Sequence, residues 1–308
     1  MSTESSRYDR PKRRGWRRWL RIGSIAVFTS ILASCAAVSL IATDAILHPR
    51  RKGVGAQVPE GMQARTFVMP DRAEIRTWEA RPQERPKAAV FVLHGISDSK
   101  ATQANTLKHL SRSGLLAIAP DLRAHGDSSG ANATYGYLEK DDLSRLRRAV
   151  ENEFPGLEIG LWGTSYGGAV ALQALGSDPD FDFAIIENTF ADLRDISRQQ
   201  VANHTSLPLT GLGPYFIDKA GKKAGFDPGQ ISPERSAEKI GVPVLHLHGD
   251  ADEIIPIAHG RRIASHAKSG NYRFIPIKGG THFQIQAGDA STYRREVDAF
   301  LKKVAEGD

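Results

Sequence analysis

Ser165 stands in Leu161-Trp162-Gly163-Thr164-Ser165-Tyr166-Gly167-Gly168, where Gly163 to Gly167 spell G-x-S-x-G. A serine hydroxyl is a poor nucleophile at neutral pH and needs a base to take its proton. Histidine suits that task, provided a third group orients the ring and stabilises the imidazolium. Candidates for both roles lie downstream. His282 occupies Lys278-Gly279-Gly280-Thr281-His282-Phe283, Asp250 and Asp252 follow His248-Gly249, and Glu187 closes an apolar run. Such a set would perform nucleophilic acyl transfer, and the oxyanion formed on the way needs preorganised donors.

These residues can act together only if the chain positions them. Leu157, Ile159 and Leu161 read as a short buried strand, and Ala169, Val170, Ala171, Leu172, Ala174 and Leu175 as a buried helix. Ser165 then falls on a sharp strand-to-helix turn that lifts its hydroxyl clear of a sheet. Small flanking residues let neighbouring backbone pass closely. The same pattern without chemistry would be a glycine-rich turn and nothing more. Around it, Thr66–Val68 and Ala73–Trp78 predict a β-pair. Buried strands are expected at Ala88–Leu93, Leu115–Ala119, Phe183–Ile186, Val242–Leu247 and Tyr272–Ile277. Helices are expected over 101–113, 138–154 and 289–303. Strands alternating with helices imply a mostly parallel sheet covered on both faces, an α/β architecture. Residues 191–238 exceed a simple crossover. They read as an irregular packed excursion or as a small cap lining an apolar pocket.

The chain has 308 residues, 40% hydrophobic and 25% charged, which is ordinary for a globular protein. Its net charge of +6 is unevenly placed: residues 1–52 carry +8 and the remainder −2. The globular part therefore lacks the positive excess that nucleic-acid binding demands. Arg7, Arg10, Lys12, Arg13, Arg14, Arg17, Arg18 and Arg21 form a basic segment over 1–21, and residues 22–43 carry no charge. As a helix those 22 residues would span about 33 Å, enough for a bilayer core. Eight basic residues precede the span and Arg50-Arg51-Lys52 follow it. This bias predicts a signal anchor in the cell (inner) membrane, N-terminus in the cytoplasm and the bulk of the chain outside. Leu32-Ala33-Ser34-Cys35 resembles a lipoprotein box, so acylation at Cys35 is the alternative; a cleaved signal peptide is a third. Cys35 is the sole cysteine, so no internal disulfide can form. Residues 44–64, with Pro49, Gly53, Gly55, Pro59 and Gly61, read as a linker, and the globular domain as starting near Arg65 and running to 308.

From about residue 65 to 305 the chain resembles the α/β-hydrolases. The resemblance rests on His94-Gly95, Asp121-x-Arg123-x-His125-Gly126-x-Ser128, Gly163-x-Ser165-x-Gly167, His248-Gly249-x-x-Asp252 before Ile255-Pro256, and Gly280-x-His282. The order Ser, Asp, His is that of the superfamily. Glu187-Asn188-Thr189-Phe190 is similar to its membrane-tethered, lipase- and aminopeptidase-like branch. The resemblance implies a triad of Ser165, Asp252 and His282, with Asp250 and Glu187 as competing acids. It implies an oxyanion hole made by the backbone N–H groups of Ile96 and Tyr166. His94, Arg123, His125 and Asp127 are expected to shape loops, and His246 to belong to the core. No metal or cofactor is implied, and the partners expected are a small-molecule acyl substrate and the membrane. Ester or thioester hydrolysis is the expected activity. Amide hydrolysis by a serine peptidase and a catalytically silent, membrane-anchored binding protein are the alternatives.

Overall fold

The computed structural model describes residues 14–204, 209–268 and 270–306. Arg7, Arg10, Lys12 and Arg13 of the basic segment lie outside the described residues, as do Leu207 and Pro208 of the expected cap. The chain divides into two units, Met1–Thr43 and Asp44–Asp308. The first is described as helix α1, Arg14–Leu47, whose last turn continues into the second unit. Within α1, Arg18–Leu47 is long enough to cross a bilayer and contains an 18-residue stretch with a mean hydropathy of 2.3. Its Phe28, Ile31 and Leu40 are more than half exposed, and Cys35 is exposed. A membrane anchor and a signal sequence both fit this helix.

The second unit carries, among its described residues, eight strands: β1 (Met62–Val68), β2 (Glu74–Ala80), β3 (Ala88–Leu93), β4 (Leu116–Pro120), β5 (Glu158–Thr164), β6 (Phe183–Glu187), β7 (Val244–Gly249) and β8 (Tyr272–Ile277). They form one sheet in the order β1-β2-β4-β3-β5-β6-β7-β8. β1 and β2 pair antiparallel, β2 meets β4 antiparallel, and the other pairs are parallel. Alternate residues of β3 serve opposite faces, as the pleat requires. Phe91 and Leu93 join a core under α3 (Glu139–Glu153), α4 (Tyr166–Leu175) and α8 (Ala258–His266). Val90 and Val92 join a second core under α2 (Ala104–Arg112) and α9 (Ala290–Glu306). Every residue of β3 is buried, which explains its unbroken apolar run.

Between β6 and β7 the chain is helical rather than irregular. α5 (Leu193–His204), α6 (Leu212–Ala224) and the short α7 (Pro233–Ala237) fill the insertion. α5 and α6 approach closely because Gly213 lacks a side chain: a Cβ there would stand 2.2 Å from the Ser197 carbonyl oxygen. A third apolar cluster forms beneath them from Phe190, Leu193, Ile196, Ile217, Phe226 and Ile255, together with Leu47.

Leu47 marks a departure from the linker expected over 44–64. It is fully buried, and β1 begins at Met62, before the domain start expected near Arg65. Glycines and prolines there bend the chain without detaching it. Lys100 is also buried. Its Nζ donates to Asp121 at 2.5 Å and to Asp127 at 2.7 Å, and lies 5.4 Å from the ring centre of Trp78.

Candidate active site

β5 delivers Ser165 and α4 carries the chain away. Ser165 has φ 55° and ψ −118°, a conformation that costs an L-residue energy and needs its surroundings to hold it. Two glycines make the turn possible. A Cβ on Gly163 would stand 2.4 Å from the Gly167 carbonyl oxygen, and one on Gly167 2.5 Å from that of Leu93. The Ser165 N–H donates to the Glu187 carbonyl at 2.8 Å, while its own carbonyl accepts from Thr189 Oγ1 at 2.7 Å.

The structure brings Ser165, His282 and Asp252 into one relay. Ser165 Oγ donates to His282 Nε2 at 3.0 Å, and His282 Nδ1 donates to Asp252 Oδ2 at 2.7 Å. Asp252 Oδ1 accepts from the N–H groups of Ile254 and Ile255 at 2.9 and 2.8 Å. Both carboxylate oxygens are thereby engaged, and the buried side chain has one orientation. His248 braces the same loop by donating Nε2–H to the Ile255 carbonyl at 2.8 Å. The two rival acids lie elsewhere. Asp250 Oδ1 accepts from the Gly279 N–H at 2.6 Å. Glu187 accepts from Tyr293 Oη at 2.6 Å and Thr164 Oγ1 at 2.8 Å, and burial raises its pKa.

Asn188 escaped the sequence reading as a site residue. Its Nδ2 donates to the carbonyls of Thr281 and His282 at 3.0 and 3.1 Å, and its Oδ1 accepts from the Gly249 N–H at 2.9 Å. One amide thus ties the exits of β6 and β7 to the histidine loop. The left-handed φ of 46° at Asn188 suits asparagine better than most residues. The run Glu187-Asn188-Thr189 was the available signal.

His94-Gly95-Ile96 passes beside Ser165, for a Cβ on Gly95 would lie 3.7 Å from that of Ser165. His94 is fully used. Its Nδ1 donates to the Gly95 carbonyl at 2.8 Å and its Nε2 accepts from the Leu122 N–H at 3.0 Å. Burial lowers its pKa, so the ring stays neutral and Nε2 remains an acceptor. Tyr166 opens α4 immediately after Ser165, where helix N–H groups lack carbonyl partners within the helix.

A family model described as serine aminopeptidase, S33, matches residues 84–213. The esterase Pf2001 of Pyrococcus furiosus superposes with a TM-score of 0.69 at 21% identity, covering 84% of this chain and 98% of that one. The chain has the α/β-hydrolase fold. The uncharacterized protein YqkD of Bacillus subtilis (strain 168) is 27% identical over 251 residues, which is 79% of this hydrolase and 80% of YqkD. The human monoglyceride lipase is 26% identical over 248 residues, 67% of this chain and 78% of the lipase.

Arg123 and His246 are each engaged by neighbouring side chains. Arg123 is forked between Asp142 and Asp71, with Nε–Oδ2 at 2.5 Å and Nη1–Oδ2 at 2.5 Å. Burial opposes its charge, but these two carboxylates outweigh that and raise its pKa. His246 lies within β7 and pairs with Tyr272 Oη at 2.8 Å. Among the described residues, no three His, Cys, Asp or Glu side chains group closely enough to hold a metal ion.

Proposed function

We propose that this α/β-hydrolase cleaves carboxylic esters or thioesters through an acyl-enzyme at Ser165. The carrying observation is the continuous relay from Ser165 Oγ through His282 to Asp252 Oδ2. His282 Nε2 takes the hydroxyl proton as Oγ attacks the carbonyl carbon. Asp252 holds the ring in the required tautomer and stabilises the imidazolium. The N–H groups of Ile96 and Tyr166 receive the oxyanion. The imidazolium then protonates the departing alcohol or thiol, and water releases the acyl group by the same steps. Ile96, Ile254 and Phe283 are 41%, 36% and 84% exposed on the loops that follow β3, β7 and β8. An apolar border next to the relay suits an acyl chain better than a polar peptide. Similarity to an esterase and to monoglyceride lipase supports the same choice, whereas the aminopeptidase description of the matching family supports amides.

Nitrophenyl acyl esters of increasing chain length, assayed beside aminoacyl anilides, separate the two. Ester turnover rising with chain length and negligible anilide turnover are expected; the reverse pattern would overturn the ester assignment. Ser165→Ala should lower turnover by about a million-fold, with the fold intact by circular dichroism. A fluorophosphonate probe should label the parent protein and leave that variant unmarked.

We further propose that α1 is an uncleaved anchor with the hydrolase on the outer side of the cytoplasmic membrane. Its apolar length and the basic excess before it support this reading. Mass spectrometry of the mature chain should find the N-terminus intact. A chain starting at an acylated Cys35 would replace the anchor with a lipoprotein.

A further inference from the structure

Residues 46–55 reach both proposed oxyanion donors by separate routes. On the first, the Ala133 N–H donates to the Leu47 carbonyl at 2.9 Å, and Tyr135 Oη donates to the Ile46 carbonyl at 3.0 Å. The loop so held wraps the buried carboxylate of Glu139, which accepts from the Thr134 N–H at 2.8 Å and hydroxyl at 2.6 Å, and from the Gly136 N–H at 2.8 Å. The fourth donor to Glu139 is Tyr166 Oη at 3.1 Å, and the Tyr135 ring stands edge-on to Tyr166 at 5.5 Å. Tyr166 carries one of the two donors.

On the second route, Arg51 Nη1 donates to the carbonyls of Ser128 and Gly126 at 2.7 and 3.3 Å, and the Gly55 N–H donates to Asp127 Oδ1 at 2.7 Å. That loop contains His125, whose ring lies 4.9 Å from His94 and 5.2 Å from Tyr166. His94 in turn fixes the Gly95 carbonyl, one residue before the second donor, Ile96.

We infer that residues Ile46–Gly55 form a strap that positions the backbone donors of the oxyanion hole, with Arg51 and Tyr135 as its positioning residues. The inference rests on the acyl-enzyme reading above. A displaced donor costs transition-state stabilisation and leaves ground-state binding largely alone. Misplacement by about 1 Å can lower a rate by roughly 10²-fold. The strap leads directly out of α1, so the segment that joins the hydrolase to its N-terminal helix also completes its catalytic geometry.

The test uses the full-length protein in detergent with a soluble nitrophenyl ester. Arg51→Ala and Tyr135→Phe should each lower kcat by roughly tenfold, a fraction of what losing a whole oxyanion donor costs. KM should stay within about twofold, since ground-state contacts are kept. Arg51→Lys, which retains a donor for the same carbonyls, should recover much of the loss. The decisive readout is an alkylboronic acid. Ser165 Oγ adds to its trigonal boron, the hydroxyl proton passes to His282, and the tetrahedral adduct places an oxygen where the oxyanion would form. Its inhibition constant should weaken in step with kcat, at temperatures where circular dichroism shows each variant folded. Unchanged kcat in both folded variants would overturn the strap, as would a fall in kcat with unaltered boronate affinity. A parent protein that neither turns over the ester nor binds boronate overturns the acyl-enzyme reading itself. Should Arg51→Ala fail to fold, Tyr135→Phe, which loses one hydroxyl, carries the test alone.

Discussion

Asp252 and Asp250 are two positions apart, yet their carboxylates have different work. Asp252 is buried, fixed by two backbone N–H groups and aimed at His282 Nδ1. Asp250 is exposed and ties down Gly279. Asp252→Asn should therefore lower kcat by about 10⁴-fold, as loss of the orienting acid does in a serine protease. Asp250→Asn should change it only a few-fold. Steady-state kinetics on one ester suffice, and a larger loss in the Asp250 variant would reverse the assignment. Ser165 and His282 were legible because each stands in a short glycine-flanked pattern. The choice between the aspartates was legible only through the family resemblance. What separates them physically is the turn at 253–255, whose N–H groups point back at one carboxylate.

The exit of β6 shows what sequence conceals at the level of elements. Glu187, Asn188 and Thr189 bind the Ser165 turn and the His282 loop, largely through backbone atoms that any residues would supply. Such partners leave no mark at the other end of the bond, so Asn188 read as one residue of a four-residue run. Asn188→Ala deletes three hydrogen bonds at the junction of β6, β7 and the histidine loop. Unmet carbonyls and N–H groups should lower stability by about 2–3 kcal/mol and turnover by at least tenfold. Asn188→Asp should be worse still, because a carboxylate would face the carbonyls of Thr281 and His282. Chemical denaturation and kcat measured together test this; an Asp variant as active as the parent would contradict it. The strands were legible because buried β-runs are apolar without interruption, and β3 and β8 fall at their expected residues. The cap was less so, since Pro and Gly in 207–214 mask the helical pattern that α6 completes.

Across the whole molecule, burial has been applied to histidine repeatedly. Among the described residues His94, His125, His246, His248 and His259 are all held below the ordinary imidazole range, chiefly by loss of water. His125 is brought to about 3 and His259 to about 4. In the unfolded chain each would titrate near about 6.5. Below that pH the unfolded chain binds protons that the folded chain refuses, so stability is full above it and falls as pH falls toward the folded values. Asp142, raised by burial to about 6, opposes this trend within the same range, and Glu158, Asp182 and Glu187, also raised by burial, oppose it from the carboxylate side, but the five histidines outnumber them. The melting temperature should therefore drop steadily from pH 7.5 to 5.5; a flat or rising profile would count against this reading. The extent of the hydrolase unit was the least legible feature at this scale. Pro49, Gly53 and Gly55 looked like a tether, while Leu47, worth about 2 kcal/mol if fully buried, was hidden at the end of an apolar run. A soluble form should accordingly begin before Asp44 rather than after Lys52.

The buried ammonium of Lys100 over Trp78 has an optical consequence. Of the four tryptophans, only Trp78 and Trp162 belong to Asp44–Asp308, and both lie in the core under α2 and α9. Asp127 joins Lys100 to Gly55, so loosening that junction moves a positive charge above an indole ring. Emission from Trp78 is thereby a gauge of the N-terminal junction.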